Sequence, residues 1–120
     1  MTNPSQRQNS RHSNRLEDRV VAITGAGSGN GRASALRTGR EGASLYISDI
    51  YAELLEETLG DLKSEGIKAT GGIFDAANID DAPRFVAGIT EAYGRIDVLV
   101  NNAGAVKVEP FPEVSEENWD

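Results

Sequence analysis

Apolar and polar positions alternate in blocks along the chain, and short β-branched runs are separated by longer amphipathic stretches. The runs RVVAIT, SLYISD, KATGGIFD and IDVLVNNAG are typical of strands buried on both faces. They predict four strands, over residues 19–24, 44–49, 68–75 and 96–104.

The stretches between these runs have the spacing of helices. They predict helices over residues 32–41, 52–66 and 80–94. We expect the second helix to bury Leu55, Leu59 and Leu62. We expect the third to bury Val86, Ile89 and Tyr93.

Strands and helices that alternate at this spacing form βαβ units, which build a parallel sheet. The sequence therefore predicts an α/β fold with a doubly wound parallel sheet, cut after the fourth strand. In such sheets ligands bind outside the carboxyl ends of the strands.

The segment TGAGSGNG, residues 24–31, places four glycines directly after the first strand. It lacks the Lys-Ser or Lys-Thr of a P-loop. It also fails the common G-x-G-x-x-G dinucleotide pattern, because Asn30 or Arg32 stands where the third glycine is needed. Gly25, Gly29 and Gly31 instead give G-x-x-x-G-x-G, which allows a backbone to approach a phosphate closely.

With this loop, the chain over residues 16–120 resembles the N-terminal half of a short-chain dehydrogenase/reductase. The family's early marks follow in order: Thr24-Gly25-x-x-x-Gly29-x-Gly31, Asp49, Asp75 and the segment NNAG at residues 101–104. Each comes at the end of a predicted strand. The resemblance implies a Rossmann-like domain with strand order 3-2-1-4.

The resemblance also implies a cofactor site. Its predicted cofactor-binding residues are Gly25, Ser28, Gly29, Asn30, Gly31, Asp49, Ile50, Asp75, Ala76, Asn102, Ala103 and Gly104. A carboxylate at Asp49 can accept the ribose hydroxyls and would repel a 2′-phosphate, which favours NAD over NADP. Asp49 could equally cap the helix that begins near Ala52.

Three positions depart from the family pattern: Asn30, Thr38 and Gly39, the last two in a helix that normally carries larger apolar residues there. Asn30 replaces an Ile or Leu, and we expect its side chain to bring a polar group near the core. Gly39 lies inside a helix, where glycine costs about 1 kcal/mol relative to alanine.

No catalytic residue can be assigned. The family's acid/base is the Tyr of a Tyr–x–x–x–Lys pair, but Ile50, Leu55 and Asp97 follow the three tyrosines at that spacing. The chain is thus interpreted as the cofactor-binding half of an NAD-dependent oxidoreductase that transfers hydride between an alcohol or carbonyl substrate and nicotinamide. One alternative is a fragment of an NADP-dependent 3-oxoacyl thioester reductase, and another is a non-catalytic dinucleotide-binding module.

Composition and charge add expectations about location and partners. Residues 1–15 form a polar segment that we expect to be disordered, and residues 16–120 form the predicted partial domain. The net charge of −7 makes nucleic acid and anionic membranes poor partners. The chain has no Cys and one His, so we predict no metal site. Cytoplasm is the expected location, and the parent enzyme is expected to be a homo-oligomer.

Overall fold

The computed structural model describes residues 14–102. Within residues 14–102 four strands alternate with three helices, and a 3₁₀ turn precedes the last helix. In chain order the elements are β1 (Val20–Thr24), α1 (Gly29–Arg40), β2 (Ser44–Asp49), α2 (Ala52–Ser64), β3 (Ala69–Ile73), the 3₁₀ turn (Ile79–Asp81), α3 (Ala82–Tyr93) and β4 (Val98–Asn101). None of the helices in this part of the chain is long and apolar enough to cross a membrane.

The strands form one parallel sheet in the order β3-β2-β1-β4, which confirms the predicted strand order. In the registers, Ile23 of β1 pairs with Ile47 of β2 and with Val100 of β4. Because all four strands are parallel, their carboxyl ends lie at one edge of the sheet. The glycine loop follows β1 at this edge, and Asp49 is the last residue of the neighbouring β2.

One face of the sheet is covered by α1 and α2. Its buried core contains Val21, Ile23, Ala26, Ala35, Ala43, Leu45, Ile47, Leu55, Leu62 and Ile67. Leu59 is partly buried against the same cluster, so the predicted stripe of α2 is confirmed. Ion pairs from Arg32 to Asp61 and from Arg40 to Glu65 join the two helices at their edges.

The opposite face is covered by α3. Its core contains Val20, Ala22, Tyr46, Phe74, Phe85 and Ile89, with Tyr93 partly buried. The prediction that α3 buries Val86 is wrong, since this side chain is 55% exposed and the neighbouring Phe85 is buried instead. Phe85 stacks on Phe74 with ring centroids 4.4 Å apart, and this aromatic contact sets the rotation of the helix.

Several predicted boundaries also change. Helix α1 begins at Gly29, three residues before the predicted start, because the glycine loop itself turns into the helix. Helix α2 ends at Ser64, β3 covers only Ala69–Ile73, and β4 only Val98–Asn101. Strand β4 lies at an edge of the described sheet, and its Val98 and Leu99 are exposed, so this strand is not covered on both faces.

Two predictions concern residues beyond the described part. Ala103 and Gly104 lie outside the described residues, as does almost all of the polar segment predicted over residues 1–15.

Candidate cofactor site

The glycine loop makes a sharp turn that packs against its own backbone. Gly25 has a φ of +63°, a conformation that side chains disfavour. A Cβ placed on Gly31 would lie 2.0 Å from the Gly25 carbonyl oxygen, so no larger residue fits there without moving the backbone. The Ala26 N–H donates to the Ser48 carbonyl oxygen at 2.9 Å and holds the loop against β2.

The first turn of α1 is open at the edge of the sheet. Helix α1 begins at Gly29, whose φ is +58°, and the side chain of the preceding Ser28 makes no capping hydrogen bond within residues 14–102. Ser28, Gly29 and Asn30 are all exposed. The expectation that Asn30 brings a polar group near the core is therefore wrong. The early start of the helix turns its side chain to solvent.

Free N–H groups at a helix N-terminus attract anions, because they add their own hydrogen bonds to the positive end of the helix dipole. The first turn of α1 contains no acidic side chain that could occupy them. This end of the helix can therefore receive a phosphate.

The Asp49 carboxylate is held by two backbone donors. Its Oδ2 accepts from the Gly27 N–H at 2.8 Å, and its Oδ1 accepts from the Tyr51 N–H at 3.0 Å. The residue is 7% exposed, so only a narrow edge of it reaches solvent. Tyr51, not Asp49, is the N-cap residue of α2, but the Oδ1 contact orders the start of that helix as well.

Beyond Asp49 the surface is apolar and exposed. Ile50 and Tyr51 are the first two residues after β2 and both are largely exposed. Residues 50–54 line a shallow depression of about 500 Å³. A flat apolar group bound next to Asp49 would find its contacts here.

Asp75 and Ala76 lie in the loop that follows β3. The Asp75 side chain is exposed, and its Oδ1 accepts from the Ala77 N–H at 2.9 Å, which closes a tight turn. The Phe74 N–H donates to the Asp49 carbonyl oxygen at 3.2 Å, so the loop begins beside the end of β2. Ala76 packs on the cluster beneath α3.

Asn102 is tied to the end of β1 through its backbone. Its N–H donates to Thr24 Oγ1 at 3.2 Å, and the Thr24 hydroxyl donates to Asn101 Oδ1 at 2.8 Å. The side chain that braces β1 against β4 is therefore that of Asn101. The side chain of Asn102 is exposed at the carboxyl edge of the sheet.

Sequence reasoning gave Gly27 no role at this edge, and it named Thr24 and Asn101 as family marks without assigning a contact to either. Gly27 gave a usable signal, because it is the one glycine of the loop that the G-x-x-x-G-x-G spacing leaves without a role. The bond between Thr24 and Asn101 joins residues 77 positions apart, and no local pattern could reveal it.

A parallel sheet with a glycine loop, an open helix N-terminus and an acidic residue at the end of the second strand defines a Rossmann-like dinucleotide-binding domain. The family profile described as short chain dehydrogenase matches residues 19–120, and the chain belongs to this family. The family binds a nicotinamide dinucleotide.

Two curated relatives are similar to this chain over part of their own length. Subunit BbsD of a hydroxy(phenyl)methylsuccinyl-CoA dehydrogenase from Thauera aromatica is 37% identical over 105 residues, which are 88% of this chain and 42% of the relative. A 3-oxoacyl-(acyl-carrier-protein) reductase from Thermotoga maritima is 37% identical over 106 residues, or 88% of this chain and 43% of the relative. The chain thus spans about two fifths of the length of these relatives.

Solved structures share the fold. The actinorhodin polyketide ketoreductase with NADPH is 37% identical at a TM-score of 0.71, covering 84% of this chain and 39% of its own. A short chain dehydrogenase from Mycobacterium paratuberculosis bound to NAD is 29% identical at a TM-score of 0.70, covering 87% of this chain and 43% of its own. Solved structures of similar fold therefore include one with NADPH and one with NAD.

Proposed function

We propose that residues 16–120 form the cofactor-binding half of an NAD-dependent short-chain oxidoreductase, which transfers hydride between an alcohol or carbonyl substrate and nicotinamide. The nicotinamide supplies or accepts the hydride when it is bound. The observation that carries the proposal is the Asp49 carboxylate, fixed beside the glycine loop by the Gly27 and Tyr51 N–H groups.

The glycine loop fits the pyrophosphate of such a cofactor. The contact between Gly31 and the Gly25 backbone leaves no room for a side chain. The open first turn of α1 offers N–H groups to a phosphate. Ser28, Gly29 and Asn30 are the exposed residues from which these contacts would come.

Asp49 fits the adenosine ribose and supports the preference for NAD. A carboxylate accepts hydrogen bonds from two ribose hydroxyls, whereas a 2′-phosphate at the same place would bring negative charges together. Ile50 and the depression after it would contact the adenine, with Asp75 and Ala76 on the neighbouring loop. Asn102, together with Ala103 and Gly104, would lie along the remainder of the cofactor.

An NADP-dependent 3-oxoacyl thioester reductase is the second candidate. It is supported by the similarity to the Thermotoga reductase and to a ketoreductase solved with NADPH. The two candidates differ in the role of Asp49, so a comparison of the two cofactors decides between them.

The test is a titration of the full chain with NAD and with NADP, followed by ¹⁵N–¹H NMR shifts so that millimolar binding is detected. We expect NAD to bind about tenfold more tightly or better, a difference of about 1.4 kcal/mol. Asp49→Ala or Asp49→Arg is expected to narrow or reverse the preference. Glu56→Ala removes one exposed carboxylate of α2 and serves as the charge control. A native preference for NADP would contradict the proposal.

Activity gives a second test of the same proposal. We expect the 120-residue chain to show no hydride transfer with any alcohol or ketone, because no Tyr–x–x–x–Lys pair supplies the proton. A positioned acid or base typically contributes about 10²–10⁴-fold, and cofactor binding does not replace it. Turnover by the purified chain that Gly29→Asp abolishes would show that this chain carries a catalytic group of its own.

A further inference from the structure

Gly27 lies in the glycine loop and is buried against β2 and α2. The G-x-x-x-G-x-G spacing gives it no role. Its N–H donates to Asp49 Oδ2 at 2.8 Å, and both partners are buried. This bond joins the loop after β1 directly to the carboxylate on which the proposed cofactor preference depends. Hydrogen bonds to a charged group are among the stronger ones in proteins.

Space, not backbone conformation, requires glycine at this position. Gly27 is not among the glycines of positive φ. A Cβ built on it would lie 2.6 Å from Leu54 Cβ and 2.7 Å from Asp49 Oδ2. Real Cβ atoms do not approach other atoms so closely, so a side chain at Gly27 must displace either the start of α2 or the carboxylate itself.

The carbonyl group of Gly27 contacts a residue of α2 as well. The Gly27 carbonyl oxygen accepts a long hydrogen bond, 3.5 Å, from the hydroxyl of buried Thr58. Arg32 donates to the same hydroxyl at 3.5 Å and forms an ion pair with Asp61. Because the N–H, the carbonyl and the Cα of Gly27 all have neighbours, neither of the two peptide units that meet at Gly27 can rotate without breaking a contact.

We propose that Gly27 is a positioning residue that determines cofactor specificity by fixing the orientation of the Asp49 carboxylate. With Gly27, the carboxylate presents one narrow edge to the ribose and holds its charge where a 2′-phosphate would lie. With a side chain at this position, the carboxylate turns aside and both effects weaken. The inference rests on the proposed function, since it requires Asp49 to select NAD.

The test is a double-mutant cycle between Gly27→Ala and Asp49→Ala, read out as the ratio of NADP to NAD dissociation constants of the full chain. We expect Gly27→Ala to lower this ratio about tenfold, as for a disturbed charge-assisted hydrogen bond. In the Asp49→Ala background the same substitution is expected to leave the ratio unchanged. Gly60→Ala is the matched control, because a Cβ there meets no atom of the described residues within 4 Å.

Each result has a defined meaning. If Gly27→Ala lowers the ratio equally in the presence of Asp49 and in the Asp49→Ala variant, the inference is overturned, because Gly27 then acts on the loop and not through Asp49. If Gly27→Ala keeps the NADP-to-NAD ratio of the unsubstituted chain while Asp49→Ala lowers it, the inference is overturned and the proposed NAD preference stands. If Asp49→Ala leaves the ratio unchanged, Asp49 does not select the cofactor, and the role of Gly27 fails with it.

Hydrogen exchange tests the contact even if Gly27→Ala does not fold. We expect the Gly27 amide to exchange about tenfold faster in Asp49→Ala than in the unsubstituted chain. The Ala26 amide, which donates to the Ser48 carbonyl oxygen at 2.9 Å, is the internal reference and is expected to keep its rate. Equal exchange of the Gly27 amide in both proteins would overturn the inference.

Discussion

The two faces of the sheet are built differently. The face beneath α1 and α2 is aliphatic, and Val21, Ile23, Leu45 and Ile47 at its centre are fully buried. The face beneath α3 is aromatic, and Phe85 contacts both Tyr46 and Phe74 there. Two helices cover the first face and one covers the second.

The difference is clearest at β4. Leu99 pairs in register with Ala22, so its side chain points to the α3 face. Ala22 is fully buried, whereas Leu99 is 54% exposed. Helix α3 therefore protects the middle of the sheet and leaves the β4 side uncovered among the described residues. The cofactor loop belongs to the better covered face, since the Gly27 N–H and Asp49 meet beside α2.

The largest expected effect is a difference between two leucines. We expect Leu45→Ala to lower the free energy of unfolding by about 2–5 kcal/mol, because it leaves a cavity in the aliphatic core. Leu99→Ala is expected to cost less than about 1 kcal/mol, since the side chain is already largely in water. Urea unfolding of the two variants measures both values. Equal losses would mean that the α3 face is covered as well as its opposite.

Two glycines sharpen the comparison. On the α1 side, a Cβ at Gly31 would meet the Gly25 carbonyl oxygen at 2.0 Å, and on the α3 side a Cβ at Gly88 would meet Tyr46 Oη at 2.2 Å. Backbone cannot move as easily as the end of a side chain. We expect Gly31→Ala to cost about 2–3 kcal/mol, within the range for overpacking, and Gly88→Ala about 1 kcal/mol.

A second substitution is expected to reverse part of the stability loss in Gly88→Ala. Tyr46→Phe removes the oxygen that a Cβ at Gly88 would meet, so the double variant is expected to recover part of the loss. Thermal unfolding of the two single variants and the double variant measures this coupling. Strictly additive losses would show that Tyr46 is not the obstacle.

The four parallel strands and the helix stripe that covers the aliphatic face were predictable, because they depend on local patterns. The strand order and the cofactor role of the loop followed from the resemblance to the short-chain dehydrogenase/reductase family. The period of α2 places Leu55 and Leu62 on one stripe, and the structure buries both. Asp49 was predictable because it ends a strand, and the ends of parallel strands share an edge of the sheet.

Features that depend on distant partners were not predictable. Phe85 and Val86 are adjacent, and both fit an amphipathic helix. The choice between them depends on Phe74, which arrives from β3. Gly39 carries a helix penalty that the sequence leaves unexplained, but a Cβ there would lie 2.6 Å from Ile67 Cγ2. The exposure of Asn30 followed from the start of α1 at Gly29, three residues before the start that the sequence predicts.

The smallest expected effect is a pH dependence confined to the aromatic face. The Tyr93 hydroxyl donates to the Leu45 carbonyl oxygen at 2.9 Å, and burial raises the pKa of Tyr93 above its ordinary value. A raised pKa in the folded state means that this contribution to stability is complete below about pH 10, the value for an unfolded tyrosine, and is lost as the pH rises through the folded pKa. Tyr93→Phe is expected to cost about 1 kcal/mol at neutral pH, the loss of one hydrogen bond, and to reduce the decline in stability above pH 10.

Burial also raises the pKa of Tyr46, so part of the alkaline decline is expected to remain in Tyr93→Phe and to fall further when Tyr46→Phe is added. The aliphatic core beneath α1 and α2 contains no tyrosine, so substitutions there should leave the alkaline slope unchanged. Urea midpoints at pH 7, 9, 10 and 11 measure the slope, and Leu62→Ala serves as the matched variant of the aliphatic face. If stability declines equally above pH 10 with and without the two tyrosine hydroxyls, the aromatic face is not the source of the decline.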